Sequence, residues 1–140
     1  MVSIVDSGAT VSVVHPSTGK AYNIQDSKGS LEGQSYEIAN GVRIPNLGEK
    51  VMAVMTEEGS VRPYCSQVAD VSHSLQAVRA MLKSQHIVVF DEDASFAYNK
   101  ETGEVNTIKD DGCNYTMEHW IIPPDQLGAV MAALDFPRQD

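Results

Sequence analysis

From residue 34 to residue 122 the chain is cut into short β-branched and aromatic runs by Gly, Pro and Asn. "QSYEIANGVRIP", "KVMAVMT", "SVRPYCSQVADV", "HIVVFD", "ASFAYN" and "CNYTMEHWII" follow one another at hairpin spacing. Side chains of a strand point alternately to two faces, so each run can bury one face while the turn residues reverse the chain. This pattern restricts the fold more than any other feature. It predicts a mostly β domain of about eight to ten short strands, closed or folded into a small barrel-like sheet. Upstream, Val2–Asp6 and residues 11–14 read as short buried strands, residues 22–24 as a further strand, and "QDSKGSLEG" as a polar loop.

Two segments depart from the strand pattern. In "SHSLQAVRAMLKSQ", Leu75, Val78, Met81 and Leu82 recur at helical spacing, which predicts one short helix near 74–83 with Ser72 or Ser74 as N-cap. Pro123-Pro124-Asp125 opens a second helix near 124–135, weakened by Gly128 and stopped before Phe136-Pro137. Asn40-Gly41 between alternating residues predicts a hairpin, because a type I′ turn needs positive φ at both positions. The Leu75–Leu82 stripe and the rings of Tyr22, Tyr36 and Trp120 read as core.

A chain of 140 residues is one domain, and 42% hydrophobic with 21% charged residues is globular composition. The net charge of −9, from 19 acids against 10 bases, argues against nucleic acid as a partner, since a phosphate backbone demands a basic stripe. The acidic balance reads as solubility. No run approaches the roughly 18 apolar residues that span a bilayer, and no basic leader precedes an apolar stretch, so neither membrane nor secretion is expected. Cys65 and Cys113 read as two lone thiols of a reducing compartment, with a disulfide between them as the alternative, and the thiol reading points to the cytoplasm. Met1 followed directly by a strand reads as a domain cut from a longer polypeptide.

The segment "SIVDSGATVSVVHP" sets an acid, a hydroxyl and a glycine between two apolar runs. Asp6 is the wrong residue for a buried strand, and such local contradictions mark functional sites. A glycine two residues on lets the backbone approach the carboxylate and offers it N–H groups. One carboxylate alone hydrolyses a peptide bond poorly. Two placed about 3 Å apart must share a proton, so one can activate water while the other protonates the carbonyl oxygen. The chain has a single D-S-G, and the second aspartate must come from a second copy across a two-fold axis.

"IVDSGATVSVV" resembles the active-site segment of retropepsin-like aspartic proteases, in particular those of copia-type LTR retrotransposons. The resemblance continues through the "ANG" hairpin, "PNLG", the "LQAV" segment, "VVFD" and the "KETG" turn, and covers roughly residues 3–122. Similar short variants occur in retroelement-derived proteins of protists such as dinoflagellates. The resemblance implies a retropepsin-like acid-protease fold over 1–122, with 123–140 as a C-terminal helical extension. It implies a homodimeric aspartic endopeptidase cutting a retroelement polyprotein, in the cytoplasm or within virus-like particles. Asp6 would be the catalytic carboxylate of each subunit, with Ser7 and Gly8 supporting the turn. Ala9 and Thr10 would border the substrate cleft, and Ala39, Asn40, Gly41 and Val42 would form the flap. "LQAV" would cross beneath the D-S-G loop. Family members carry a longer lead with an extra strand before the catalytic loop, whereas five residues precede Asp6 here.

No cofactor or metal is expected. His15, His73, His86 and His119 fall at no ligand spacing, and no C-x-x-C is present. "DSGAT" is not the G-x-S-x-G of a serine nucleophile, and "DEDAS" and "KDDG" lack calcium-loop spacing. The competing expectation is a catalytically silent relic of the same fold, serving as an assembly or peptide-binding module.

Overall fold

The structure, a computed structural model, describes residues 1–135. Eleven strands, three α-helices and two single 3-10 turns occur among the described residues. They are β1 (Val2–Asp6), β2 (Val13–Val14), α1 (Lys28–Leu31), β3 (Ser35–Glu37), β4 (Arg43–Pro45), β5 (Gly48–Thr56), β6 (Val61–Val68), β7 (Ser74–Ala77), α2 (Val78–Lys83), β8 (His86–Val89), β9 (Ser95–Asn99), β10 (Val105–Asp110), β11 (Tyr115–Ile121) and α3 (Leu127–Asp135).

Six strands close on themselves in the order β1-β7-β2-β6-β5-β11, because β11 also pairs with β1. The long hairpin β5/β6 is the backbone of this barrel, in register from Gly48↔Val68 to Met55↔Val61. Its sequence "GEKVMAVMT" puts alternate residues inside, as a two-residue side-chain period requires. Beyond β11 the sheet continues through β10 and β9 to β8. Two apolar clusters fill the interior. Val14, Met52, Val54, Tyr64 and Val68 pack in the barrel. Val5, Met81, Ala97, Ile108 and Met117 pack under α2 and the β8–β10 extension. Each Val, Ile or Met among them contributes about 1.5–3 kcal/mol on burial.

The fold corrects several expectations. Helix α2 begins only at Val78, after Ala77 as N-cap, so the 74–83 helix loses its first turn. Ser74–Ala77 is instead a strand, paired parallel with β1 and antiparallel with β2, and Leu75 belongs to it. Hydrogen bonding on both sides outweighs the helical spacing there. Met81 is buried, but Leu82 is exposed. The polar stretch 25–33 contains the single turn α1, closed by a capping box in which Ser27 and Ser30 bond reciprocally. Residues 22–24 form no strand, although Gln25 makes an isolated bridge to Glu49. Trp120 is exposed, because the β11 alternation turns Met117 and His119 inward. The second helix lies as expected, a 3-10 turn at Pro124–Gln126 leading into α3. Of the 123–140 extension, residues 136–140 lie outside those described. No helix of the described residues is long and apolar enough to cross a membrane.

Candidate active site

Val5 is buried and fixes the end of β1, which leaves Asp6 half-buried at the mouth of the D-S-G turn. Strand β7 runs between the two arms of that turn. It pairs with β1 through Asp6↔Ala77 on one side and with β2 through Val13↔Leu75 on the other. The chain that carries Asp6 therefore loops over "LQAV" and returns on its far side. Ser12, itself buried, accepts the Ala77 backbone N–H on its Oγ at 3.0 Å and ties the returning arm to β7. Asp6 Oδ1 accepts the Gly8 N–H at 2.7 Å. A Cβ at Gly8 would sit 3.3 Å from that same oxygen, so a larger residue there would shift the carboxylate by a few tenths of an ångström. Ser7, Gly8 and Thr10 are exposed and Ala9 is half-buried, so the carboxylate stands at an accessible tip above a rigid base.

The Asn-Gly hairpin forms as strands β3 and β4, in a two-stranded sheet of its own. Asn40 and Gly41 both adopt positive φ, 74° and 72°. The connection is nevertheless one residue longer than a two-residue turn. Ile38 N–H donates to Val42 O at 2.8 Å, and Gly41 N–H closes back on Ile38 O at 3.2 Å. The tip exposes Ile38 and Val42, two apolar side chains with no core behind them.

At the foot of the hairpin, buried Asn46 acts as a hub. Its Nδ2 donates to Tyr36 Oη at 3.0 Å and to Gln67 Oε1 at 3.0 Å, and its Oδ1 accepts the Gly48 N–H at 2.8 Å. Burial pushes the Tyr36 phenol pKa up, and the Asn46 bond partly opposes this. Between this foot, α1 and the residues that follow D-S-G lies a cleft of about 350 Å³, lined by Thr10, Val11, Tyr36, Asn46 and Gln67 among others. Thr10 thus shares a cleft with the hairpin foot, while Asn40, Gly41 and Val42 at the tip stand outside its lining.

Sequence reasoning missed Ser12, Asn46 and Val11 at this site. Ser12 carried a signal, a hydroxyl inside the apolar run "VSVV", of the same kind that singled out Asp6. Asn46 stood in "PNLG" as ordinary turn chemistry and gave none. No protein-family model, curated protein or solved structure matches this chain.

Proposed function

We propose that the chain is a retropepsin-like aspartic endopeptidase whose active site is completed by a second copy. The observation that carries this reading is the Asp6 carboxylate, pinned by the Gly8 N–H at 2.7 Å and presented half-buried at an otherwise exposed turn. A turn built only for stability has no need to lift an acid to its tip above a doubly anchored base. Two such tips meeting at a two-fold axis would bring the two Asp6 carboxyls together to share one proton. The unprotonated member then takes a proton from water as the water attacks the scissile carbonyl, and the protonated member donates to the carbonyl oxygen. The cleft at Thr10 and Val11 would hold the peptide beside the dyad, and the apolar hairpin tip would close over it.

Both edges of β1 are occupied, by β7 and β11, so this strand offers no free edge to a partner. The partner copy would instead meet the exposed Ser7-Gly8 tip. Substrates would be peptide segments of a retroelement polyprotein, cut in the cytoplasm or in a virus-like particle.

The test is cleavage of a mixed peptide library by the full chain and by Asp6→Asn, with oligomeric state measured by sedimentation in parallel. Cleavage by a dimer, lost in Asp6→Asn while the dimer persists, is the expected result. A chain that stays monomeric at high concentration and cuts nothing leaves the silent relic as the reading.

A further inference from the structure

The nine-stranded sheet ends at β8, and no strand among the described residues lies on its outer side. Barrel closure removes the sheet's other end, where β1 pairs with β11. β8 is therefore the open edge of the main sheet. Hydrogen bonds of the neighbouring strand decide which of its backbone groups are unpaired. Asn99 N–H donates to Glu104 O at 2.9 Å, towards β10, and Lys100 N–H donates to Gln85 O at 2.8 Å, towards β8. Antiparallel ladders alternate between hydrogen-bonded and non-hydrogen-bonded pairs. His86↔Asn99 and Val88↔Ala97 are thus non-hydrogen-bonded, and the N–H and C=O groups of His86 and Val88 point outward.

A bare edge is a template for another strand, and folded proteins guard such edges with Pro, Lys, a bulge or a covering loop. The small sheet of this protein follows that rule, since β4 carries Arg43 and Pro45. β8 does not. Its sequence is "HIVV", its ladder to β9 runs in register without a bulge, and it leads into Phe90. Ile87 is 47% exposed and Phe90 39%.

Charge around the edge selects the partner. Lys83 closes α2 just before β8, and Asp91, Glu92 and Asp93 follow just after it. All four are exposed, and none enters an ion pair among the described residues. A strand with a base at one end and acids at the other is complementary to its own reverse. In the antiparallel register about Val88, that residue faces its own equivalent and His86 faces Phe90, so the outward groups meet in hydrogen-bonded pairs. Ile87 falls opposite Val89 in the closer pair, one β-branched side chain against another. Each Lys83 comes to the acidic turn of the other copy. A parallel strand would instead set acid beside acid.

We propose that β8 is a self-association edge, pairing antiparallel with β8 of a second copy about a two-fold axis at Val88. The axis uses up both edges, so this contact by itself makes a dimer and no fibre. The D-S-G tip takes no part, and a chain without peptidase activity would form the same pair. An extended segment of another protein is the competing occupant.

The test is backbone amide hydrogen exchange of the full chain, read residue by residue at about 20 μM and about 1 mM, with sedimentation in parallel. A four-residue edge buries less than a standard interface, so Kd on the order of 100 μM is expected. The His86 and Val88 amides should exchange roughly fourfold more slowly at the higher concentration, in step with the monomer fraction. The Ile87 amide, bonded to β9, should be slow at both. Ile87→Lys, a guard charge at an exposed position, should abolish the concentration dependence. Lys83→Glu should do the same, and adding Glu92→Lys and Asp93→Lys to it should restore the protection. Exchange at Val88 that ignores concentration, protection that survives Ile87→Lys, or a charge swap that restores nothing would each overturn the proposal. A dimer by sedimentation without protection at Val88 would overturn it too, placing the contact elsewhere and leaving the edge to another protein.

Discussion

Lys50 Nζ donates to the backbone carbonyl of Thr18 at 2.9 Å, and to those of Pro16 and Gly19 at 3.1 and 3.3 Å. All three ammonium protons are thereby matched to carbonyls of the loop after β2, and the side chain is 2% exposed. Burial pulls its pKa below the ordinary lysine value. Lys50→Met keeps the stem but strands three carbonyls. Chemical denaturation should show a loss of about 3 kcal/mol, whereas Val51→Ala on the neighbouring exposed position should change stability by less than about 0.5 kcal/mol. Equal effects of the two substitutions would mean that the ammonium is not holding this loop.

The D-S-G turn makes a separate demand, on geometry. A Cβ at Gly8 would meet Asp6 Oδ1 at 3.3 Å and push the carboxylate by a few tenths of an ångström. Gly8→Ala should leave the midpoint of thermal unfolding nearly unchanged, because the position is exposed. Under the proteolytic reading it should lower kcat by roughly tenfold to a hundredfold, as small misplacements of reacting groups do. Unaltered kcat would detach Asp6 from the chemistry.

The hairpin tip offers a test on substrate binding alone. Ile38 and Val42 are 41% and 53% exposed and support no core. The double substitution Ile38→Ser, Val42→Ser should therefore leave stability within about 0.5 kcal/mol of the parent. If the tip closes over a peptide, KM should rise by roughly tenfold, the loss of one or two apolar contacts. An unchanged KM would make the hairpin a bystander.

Gly48 opens β5 at φ 133°, and a Cβ there would lie 2.3 Å from Gln25 O and 2.8 Å from Ile24 Cγ2. The Gln25 backbone cannot give way by that much, because it exchanges hydrogen bonds with Glu49 at 2.9 and 2.7 Å. Gly48→Ala should cost about 3 kcal/mol or more, and the soluble yield should fall with it. A variant as stable as the parent would contradict the close approach of residues 24–25 to β5.

What the sequence disclosed was local, and what it hid was distant. The β5/β6 alternation, the left-handed Asn40-Gly41 pair and the Asp6–Gly8 contact all follow from neighbours along the chain. Barrel closure does not, since Met1 and His119 exchange backbone hydrogen bonds across almost the whole chain. The "SLQA" strand was hidden for the same reason. Its partners lie in β1 and β2, while its own residues carry helical spacing. Trp120 and His119 show the register problem in its simplest form: a shift of one residue exchanges which of them is inside. The open β8 edge was least legible, because its isolation shows only once every other strand of the sheet has found its neighbours.

His119 also fixes how the protein responds to acid. Burial first, then the N-terminal ammonium and Arg62, lower its pKa from 6.5 to about 4, with Glu57 opposing. The unfolded chain therefore binds a proton here at higher pH than the folded one does. The neutral ring's contribution is complete above pH 6.5, falls as pH drops from there toward 4, and levels off below that. A shift of this size corresponds to about 3 kcal/mol at most. His86, whose pKa is lowered by burial and by Arg62, acts with the same sign. His119→Phe keeps a ring against Tyr64, which the imidazole meets edge-on at 5.5 Å, and removes the titration. Denaturation curves from pH 7 to pH 4 should show the parent losing roughly 2–3 kcal/mol more than the variant. Parallel curves would place the imidazole in solvent. The consequence reaches the proposed chemistry, since a peptidase built on this barrel would be less stable at the acidity that suits a proton-sharing carboxyl pair. Its working range is thereby pressed toward neutral pH, and His119→Phe should extend activity to lower pH without changing the rate at pH 7.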